Sequence, residues 1–353
     1  MKKMQDYIVK GKRVFIGLED SKRNWKISVR CDNMIVHETS MPTDFGNLRE
    51  YLRRAYPGCE IRLIYEAGFG GFWLHDLLEE VGIRCIVTPP SKVTQEKVNR
   101  VKTDKIDARR LAQNLEKGDY VSCRVPDKER RGDRQISRTL DQIQRDIIAT
   151  KNRIRRFLDF HGLNTGLPAG AWKISSYRML GKLPVSEPLR ISLEAYLSLL
   201  EHLESLRLSL TAELKALSQK ECYRESVEIK ASFPGVGWLS AIRFTLEWGE
   251  LSRFKTGKHI ASFTGLTSRE YSTGETVRRG RITGQGSRQV RAWLIQCAWR
   301  AIHYDPVLLS KFRSICSRSG SKKKAIVGVA RKMAVRMRAL ELLRQPYCVG
   351  VIE

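Results

Sequence analysis

The sequence predicts an α/β domain, then a long-helix coiled-coil segment, then a mainly α-helical basic domain. Three observations carry that order. Short β-rich runs alternate with helical patterns up to about residue 110, and two long stretches between about 134 and 220 hold apolar residues at helical spacing. After Ser232 the texture changes to glycine, serine and arginine between apolar helices. At 353 residues the chain has length for two or three domains, each able to bury a core. The boundaries fall at 1–130, 131–230 and 231–353.

RVFIGLE, NWKISVR and MIVHETS read as three consecutive strands, with Asp32 and Asn33 as the turn between the second and third. A helix near residues 44–55 precedes the fourth strand, IRLIYEA; FWLHDLLEEVG is helical and IRCIVTP is the fifth strand. Three early antiparallel strands followed by alternating helix and strand is the order of a ribonuclease-H-like fold. From about 134 to 161, Ile136, Leu140, Ile143, Ile147, Ile154 and Phe157 recur at three, four or seven residues and mark one face of a long helix. A second helix, from about 191 to 220, carries Leu193, Tyr196, Leu200, Leu203, Leu210, Leu214 and Leu217 in near-heptad register. The pair suits an antiparallel coiled coil, within one chain or between two. Residues 162–190 between them read as an irregular or short-helical tip.

Lysine and arginine outnumber aspartate and glutamate 64 to 38, a formal charge of +26, for which a phosphate polymer is the natural partner. None of the eight cysteines has C-x-x-C spacing, so they read as reduced thiols rather than zinc ligands. The N-terminus lacks an apolar signal region, and no apolar run approaches the roughly 20 residues that span a bilayer. The expected setting is cytoplasmic, at the nucleoid, with no membrane partner.

Cutting a phosphodiester with magnesium requires carboxylates from separate chain segments, gathered around one phosphate. Glu19 ends the first strand and Glu66 the fourth, so adjacent strands would bring both to one sheet edge. Asp104 and Asp107, spaced i, i+3 on a helix, share one face. Taken singly, a strand-end Glu is usually solvated and an Asp in a first helical turn answers the macrodipole. Four together in a basic protein point to metal binding.

In the last domain, FPGVG has the form of a helix-hairpin-helix loop, in which Gly235 and Gly237 would let backbone N–H groups approach a phosphate. Arg243, Lys255, Lys258, Arg269, Arg278, Arg279, Arg281, Arg288 and Arg291 supply cations for salt-dependent nucleic-acid binding. Ser272 lies in a short Ser-Thr-Gly turn among those arginines, where a hydroxyl ordinarily bonds to backbone.

GLEDSK, YEAGFGGFWLHDLL and VKTDKIDARRLA, followed in order by FPGVGWLSAIRF and FTGLTSREYSTGETVRRGRITGQGSRQVRAWL, resemble the blocks of the DEDD transposases of the insertion-sequence-110 family. The first domain of that family resembles the junction resolvase RuvC, and its last is the C-terminal transposase domain. The resemblance implies a recombinase that uses Mg2+ or Mn2+ held by Glu19, Glu66, Asp104 and Asp107. It makes Ser272 the nucleophile, with Thr273 and Ser268 as neighbours to exclude, and the intermediate a 5′-phosphoserine. It also implies a dimer or tetramer on double-stranded element and target DNA, guided by a non-coding bridge RNA. The chain departs from the pattern at Glu19, where Asp is usual. Either Glu19 or the following Asp20 could fill the position, and strand alternation, which would turn Asp20 away, favours Glu19. Ser268 also stands where proline is common. Two rival readings are a RuvC-like nuclease that resolves junctions by water attack, and a non-catalytic nucleic-acid-binding relative.

Overall fold

The structure is a computed structural model that describes residues 9–90, 103–163, 166–167, 172, 174–273, 276 and 278–350, with only the backbone of 174 and 279. The chain packs into two compact units, Met1–Pro126 and Asp127–Glu353.

In the first unit, β1 (Arg13–Glu19), β2 (Asn24–Cys31) and β3 (Met34–Pro42) form an antiparallel meander. Asp32 and Asn33, at φ 49° and 63°, make the tight turn joining β2 to β3. Short polar side chains tolerate this left-handed conformation, whose twist matches the flanking strands. After α1 (Phe45–Ala55), β4 (Glu60–Glu66) pairs in parallel with β1; after α2 (Trp73–Glu80), β5 (Arg84–Thr88) pairs in parallel with β4. The sheet order is β3-β2-β1-β4-β5. Alternation divides its faces. Val14, Ile16, Leu18, Leu63 and Tyr65 pack with Leu48, Leu52, Leu74 and Leu78 of α1 and α2. Phe15, Ile64 and Ile86 face the other way, onto Leu111 and Leu115 of α3 (Asp104–Lys117). Each fully buried side chain of this kind contributes about 1.5–3 kcal/mol.

The second unit opens with α4 (Lys128–Phe160), which returns through a short α5 (Ile174–Gly181) into α6 (Glu187–Gln219). Lys151 Nζ lies 2.9 Å from Glu204 Oε1, and the Phe157 and Tyr196 rings are 6.2 Å apart, so the two long helices run antiparallel within one chain. Their distal half holds its own core of Ile147, Ile154, Leu158, Leu193, Leu200 and Leu203. Their proximal half merges with the C-terminal helices: Leu140, Leu214 and Leu217 share a core with residues of α7 (Glu221–Ala231), α8 (Trp238–Trp248), α10 (Arg288–Ala301) and α12 (Lys322–Leu343). The domain boundary expected between 230 and 231 is therefore not a break in packing. The helix pair and the C-terminal helices form one unit, because the apolar stripes of α4 and α6 run on past the coiled coil into that shared core. The remaining elements among the described residues are a 3-10 turn (Leu251–Arg253), α9 (Gly257–Phe263), a hairpin of β6 (Ser268–Glu270) and β7 (Arg279–Ile282), and α11 (Pro306–Ser319). No helix among the described residues is long and apolar enough to cross a membrane.

Candidate functional site

Glu19 and Glu66 close β1 and β4. The parallel register runs from Arg13↔Glu60 to Leu18↔Tyr65, so its next step sets Glu19 beside Glu66 at the C-terminal edge. Alternation puts both on the face of Gly17 and Ile64, which is the face α3 covers. Gly17 determines how closely the helix lies. A Cβ there would collide with the Ala108 carbonyl oxygen and the Ala112 amide nitrogen and would stand 2.9 Å from Leu111 Cβ. Only glycine allows the backbones of β1 and α3 this approach.

Asp104 is the first residue of α3 and is exposed; Thr103 caps the helix, its Oγ1 accepting from the Ile106 amide at 3.4 Å. Asp107 is only 6 % exposed and accepts from Arg110 Nη1 at 3.1 Å. Helical spacing sets Asp104, Asp107 and Leu111 along one side, the side whose Leu111 meets Ile64 of the sheet. Two clamps fix the helix. Near its start, Lys105 and Arg109 both engage Glu38 of β3, with Arg109 Nη2 at 2.6 Å and Lys105 Nζ at 3.2 Å. The Arg109 hydrogen bond holds the Glu38 carboxyl below the ordinary carboxylate range. Near its end, Glu116 accepts from Arg30 Nε and from the Asn33 amide, each at 2.7 Å.

Register places Glu19 and Glu66 at one sheet edge, helical spacing places Asp104 and Asp107 on the side of the helix that carries Leu111, and their all-oxygen chemistry is of the kind a hard divalent cation takes. Among the described residues, however, no three His, Cys, Asp or Glu stand close enough together to hold a metal ion. Asp20 turns elsewhere: its Oδ1 accepts from Trp25 Nε1 at 2.8 Å, and Trp25 belongs to the core on the opposite face.

In the second unit, Ser272 lies beyond β6 on an arm of the hairpin. The pairing Ser268↔Ile282 and Glu270↔Arg279 continues through the Tyr271 amide to the Arg278 carbonyl at 2.8 Å and the Thr273↔Thr276 bridge. Ser272 and Glu270, two apart on an extended arm, share a side, and Ser272 Oγ donates to Glu270 Oε1 at 3.0 Å. Both are exposed. Sequence reasoning missed Glu270; its signal was the i, i−2 spacing from the serine within a predicted extended segment.

Lys255, Lys258, Arg269, Arg278, Arg281 and Arg288 are exposed. The side chain of Arg279 lies outside the described residues, as do residues 274, 275 and 277 of the expected turn. Three expectations need correction. Arg243, expected at the DNA surface, is 6 % exposed; its Nη2 lies 3.1 Å from Asp141 Oδ1 and its guanidinium 4.9 Å over the Trp293 ring. A cation committed to a buried partner is not offered to phosphate. Arg291 is half-buried, and its Nη1 donates to the carbonyls of Gln285 at 2.8 Å and Gly286 at 3.1 Å, which fixes the loop before α10. Gly235, at φ 80°, lies against α10, where a Cβ would be 2.7 Å from the Cys297 carbonyl and 2.8 Å from the Ala301 amide. Its glycine serves packing rather than phosphate approach. Gly237 is exposed and caps the N-terminus of α8.

Two family profiles match the chain in the order of its units. One, described as a transposase and belonging to the DEDD type of IS110, matches residues 17–162 and so covers Glu19, Glu66, Asp104 and Asp107. The other, the transposase IS116/IS110/IS902 family, matches residues 228–313 and covers the hairpin with Ser272. Among similar proteins, the putative transposase y4qE of Sinorhizobium fredii is 28% identical over 69% of this chain, which spans 58% of that relative's length. The transposase for insertion sequence element IS1533 of Leptospira borgpetersenii is 24% identical over 92% of this chain and 95% of its own length. The putative transposase y4rJ of Sinorhizobium fredii is 26% identical over 92% of this chain and 90% of its own length.

Proposed function

Because the chain belongs to the IS110 family of transposases, we propose that it cuts and rejoins element and target DNA with a carboxylate-held metal and a serine nucleophile. The observation that carries the first half is the parallel register of β1 and β4, which ends at Leu18↔Tyr65 and so leaves Glu19 and Glu66 at one sheet edge, on the face covered by the helix whose first turn bears Asp104 and Asp107. The strand order, with a three-stranded meander joined to parallel β4 and β5, supports a ribonuclease-H-like, RuvC-like reading of this unit. Glu19, Glu66, Asp104 and Asp107 are the residues to hold Mg2+ or Mn2+. When bound, the ion supplies positive charge at the scissile phosphate and at the leaving oxygen. Asp107, which accepts from Arg110, would hold the ion in that partner's place, and the clamps through Glu38 and Glu116 fix the helix that bears both aspartates.

Ser272 attacks the phosphorus, becomes esterified to the 5′-phosphate and releases a 3′-hydroxyl. The ester keeps the energy of the broken bond for rejoining to another strand. Exposed Arg278, Arg281, Arg269, Arg288, Lys255 and Lys258 hold phosphates of the duplex and offset charge in the transition state. A formal charge of +26 suits a protein that holds a structured guide RNA together with two duplexes, as a dimer or tetramer.

The test uses full-length protein with its co-purified RNA and a duplex taken from the DNA flanking its gene. Wild-type protein should give magnesium-dependent cleavage with protein attached to the 5′ end, and Ser272→Ala should bind but leave no attached product on a denaturing gel. Free 5′-phosphate ends made equally by both proteins would instead establish water attack by a junction-type nuclease. Unchanged binding with no cleavage by wild type would establish a non-catalytic protein.

A further inference from the structure

The geometry points to Glu270 as the general base that takes the proton of Ser272 during strand cleavage and returns it during rejoining. This rests on the serine reading above and names a residue that neither the sequence motifs nor the family blocks singled out.

Two observations carry it. Ser272 Oγ donates to Glu270 Oε1 at 3.0 Å, within the reach a general base needs to its nucleophile. The pair is set by backbone: positions 270 and 272 lie on one side of an extended arm whose pairing runs through Tyr271 and Arg278 to Thr273 and Thr276. Chemistry supplies the second argument. A carboxylate set in the sequence among Arg269, Arg278 and Arg281 weakens the attraction those arginines exert on phosphate. That cost suits a residue whose carboxylate takes part in the reaction. A serine hydroxyl ionises too weakly to attack unaided, and a carboxylate already hydrogen-bonded to it removes the proton as the bond to phosphorus forms.

In cleavage, the Oγ–phosphorus bond forms and the phosphorus–O3′ bond breaks. The hydroxyl proton passes to the Glu270 carboxylate, and the 3′-oxygen leaves as a hydroxyl with a proton from solvent. In rejoining, a 3′-hydroxyl attacks and loses its proton to solvent, the phosphorus–Oγ bond breaks, and Oγ recovers its proton from the Glu270 carboxyl. Nothing is oxidised or reduced, and the two directions use one residue in its two protonation states.

The experiment measures the single-turnover rate of protein–DNA adduct formation on the gene-flanking duplex, with full-length protein, co-purified RNA and saturating magnesium. Ser272→Ala sets the baseline: an adduct that survives it removes the serine reading itself, and with it any role for Glu270. With that adduct lost, Glu270 is tested alone. Glu270→Gln should slow adduct formation about 10²- to 10⁴-fold while binding the duplex by gel shift at least as tightly as wild type. The wild-type rate should depend little on pH between about pH 6 and 8.5, because the proton is taken by a base held on the protein rather than by hydroxide. Without the base, the proton goes to hydroxide, and the Glu270→Gln rate should climb about tenfold per pH unit across that range. Glu270→Asp, which keeps the carboxylate on a shorter arm, should recover part of the rate and the flat profile. A Glu270→Gln protein within about threefold of wild type overturns the assignment, as does a slow one whose pH profile keeps the wild-type shape.

Discussion

Asp107 is 6 % exposed on a helix seated against Gly17, whereas Ser272 stands on a two-stranded hairpin whose described neighbours are mostly exposed. The acids owe their placement to long-range packing: two strand ends in parallel register, a helix laid across them, and clamps from Glu38 and Glu116. The serine owes its placement to a few local hydrogen bonds, of Tyr271 with Arg278 and Thr273 with Thr276. The acidic edge therefore depends on residues far along the chain, and the serine arm on its immediate neighbours.

The largest effect should come from the acids themselves. Asp104→Asn and Asp107→Asn should each lower magnesium-dependent cleavage by at least about 10³-fold, the equivalent of ~4 kcal/mol, with binding by gel shift nearly intact. Full cleavage in either variant would remove that residue from the site. Next comes the scaffold. Leu200→Asp places a charge in the distal core of the α4–α6 pair, where Leu200 is fully buried, and should cost at least about 3 kcal/mol in thermal or denaturant unfolding. Leu200 and Leu203 pack within their own chain, so loss of oligomer in such variants reports first on this core. Gly17→Ala should lift α3, lower stability by about 1–3 kcal/mol and reduce cleavage without touching a single acid. An unchanged melting profile and activity would show that the close approach is not needed.

The clamp at Glu38 gives a smaller, pH-dependent effect. Its folded value is lowered by Arg109, so the stability from this contact is complete above the ordinary carboxylate range and is lost as pH falls through the lowered value. Acid unfolding of Glu38→Gln should start from a less stable protein at neutral pH and show a shallower acid limb. Ser272→Ala should have the smallest effect on folding, within about 0.5 kcal/mol of wild type, because an exposed hydroxyl leaves nothing buried without a partner.

The positions of the four acids were legible because they follow from strand ends and helical period: Glu19 and Glu66 close strands, and Asp104 and Asp107 lie in the first turn of a helix. What holds them was not. Gly17 interrupts the apolar strand FIGLE without announcing that a helix backbone lies against it, and Glu38 meets Arg109 across 71 residues of sequence. Arg243 reads as a surface cation because burial of arginine depends on a partner, Asp141, that is local neither in sequence nor in period. The extent of the second unit likewise rests on contacts that are not local in sequence. The long helices bear a continuous apolar stripe, and nothing in the stripe itself says that one end packs on the opposing helix and the other on the C-terminal helices.

Mass spectrometry of the protein–DNA adduct after nuclease trimming and proteolysis identifies the nucleophile. A serine mechanism leaves a nucleotide joined through its 5′-phosphate to the peptide spanning the hairpin, with fragment ions assigning the linkage to Ser272. Linkage at Thr273 or Ser268, or cleavage that proceeds with no covalent species at all, would contradict it.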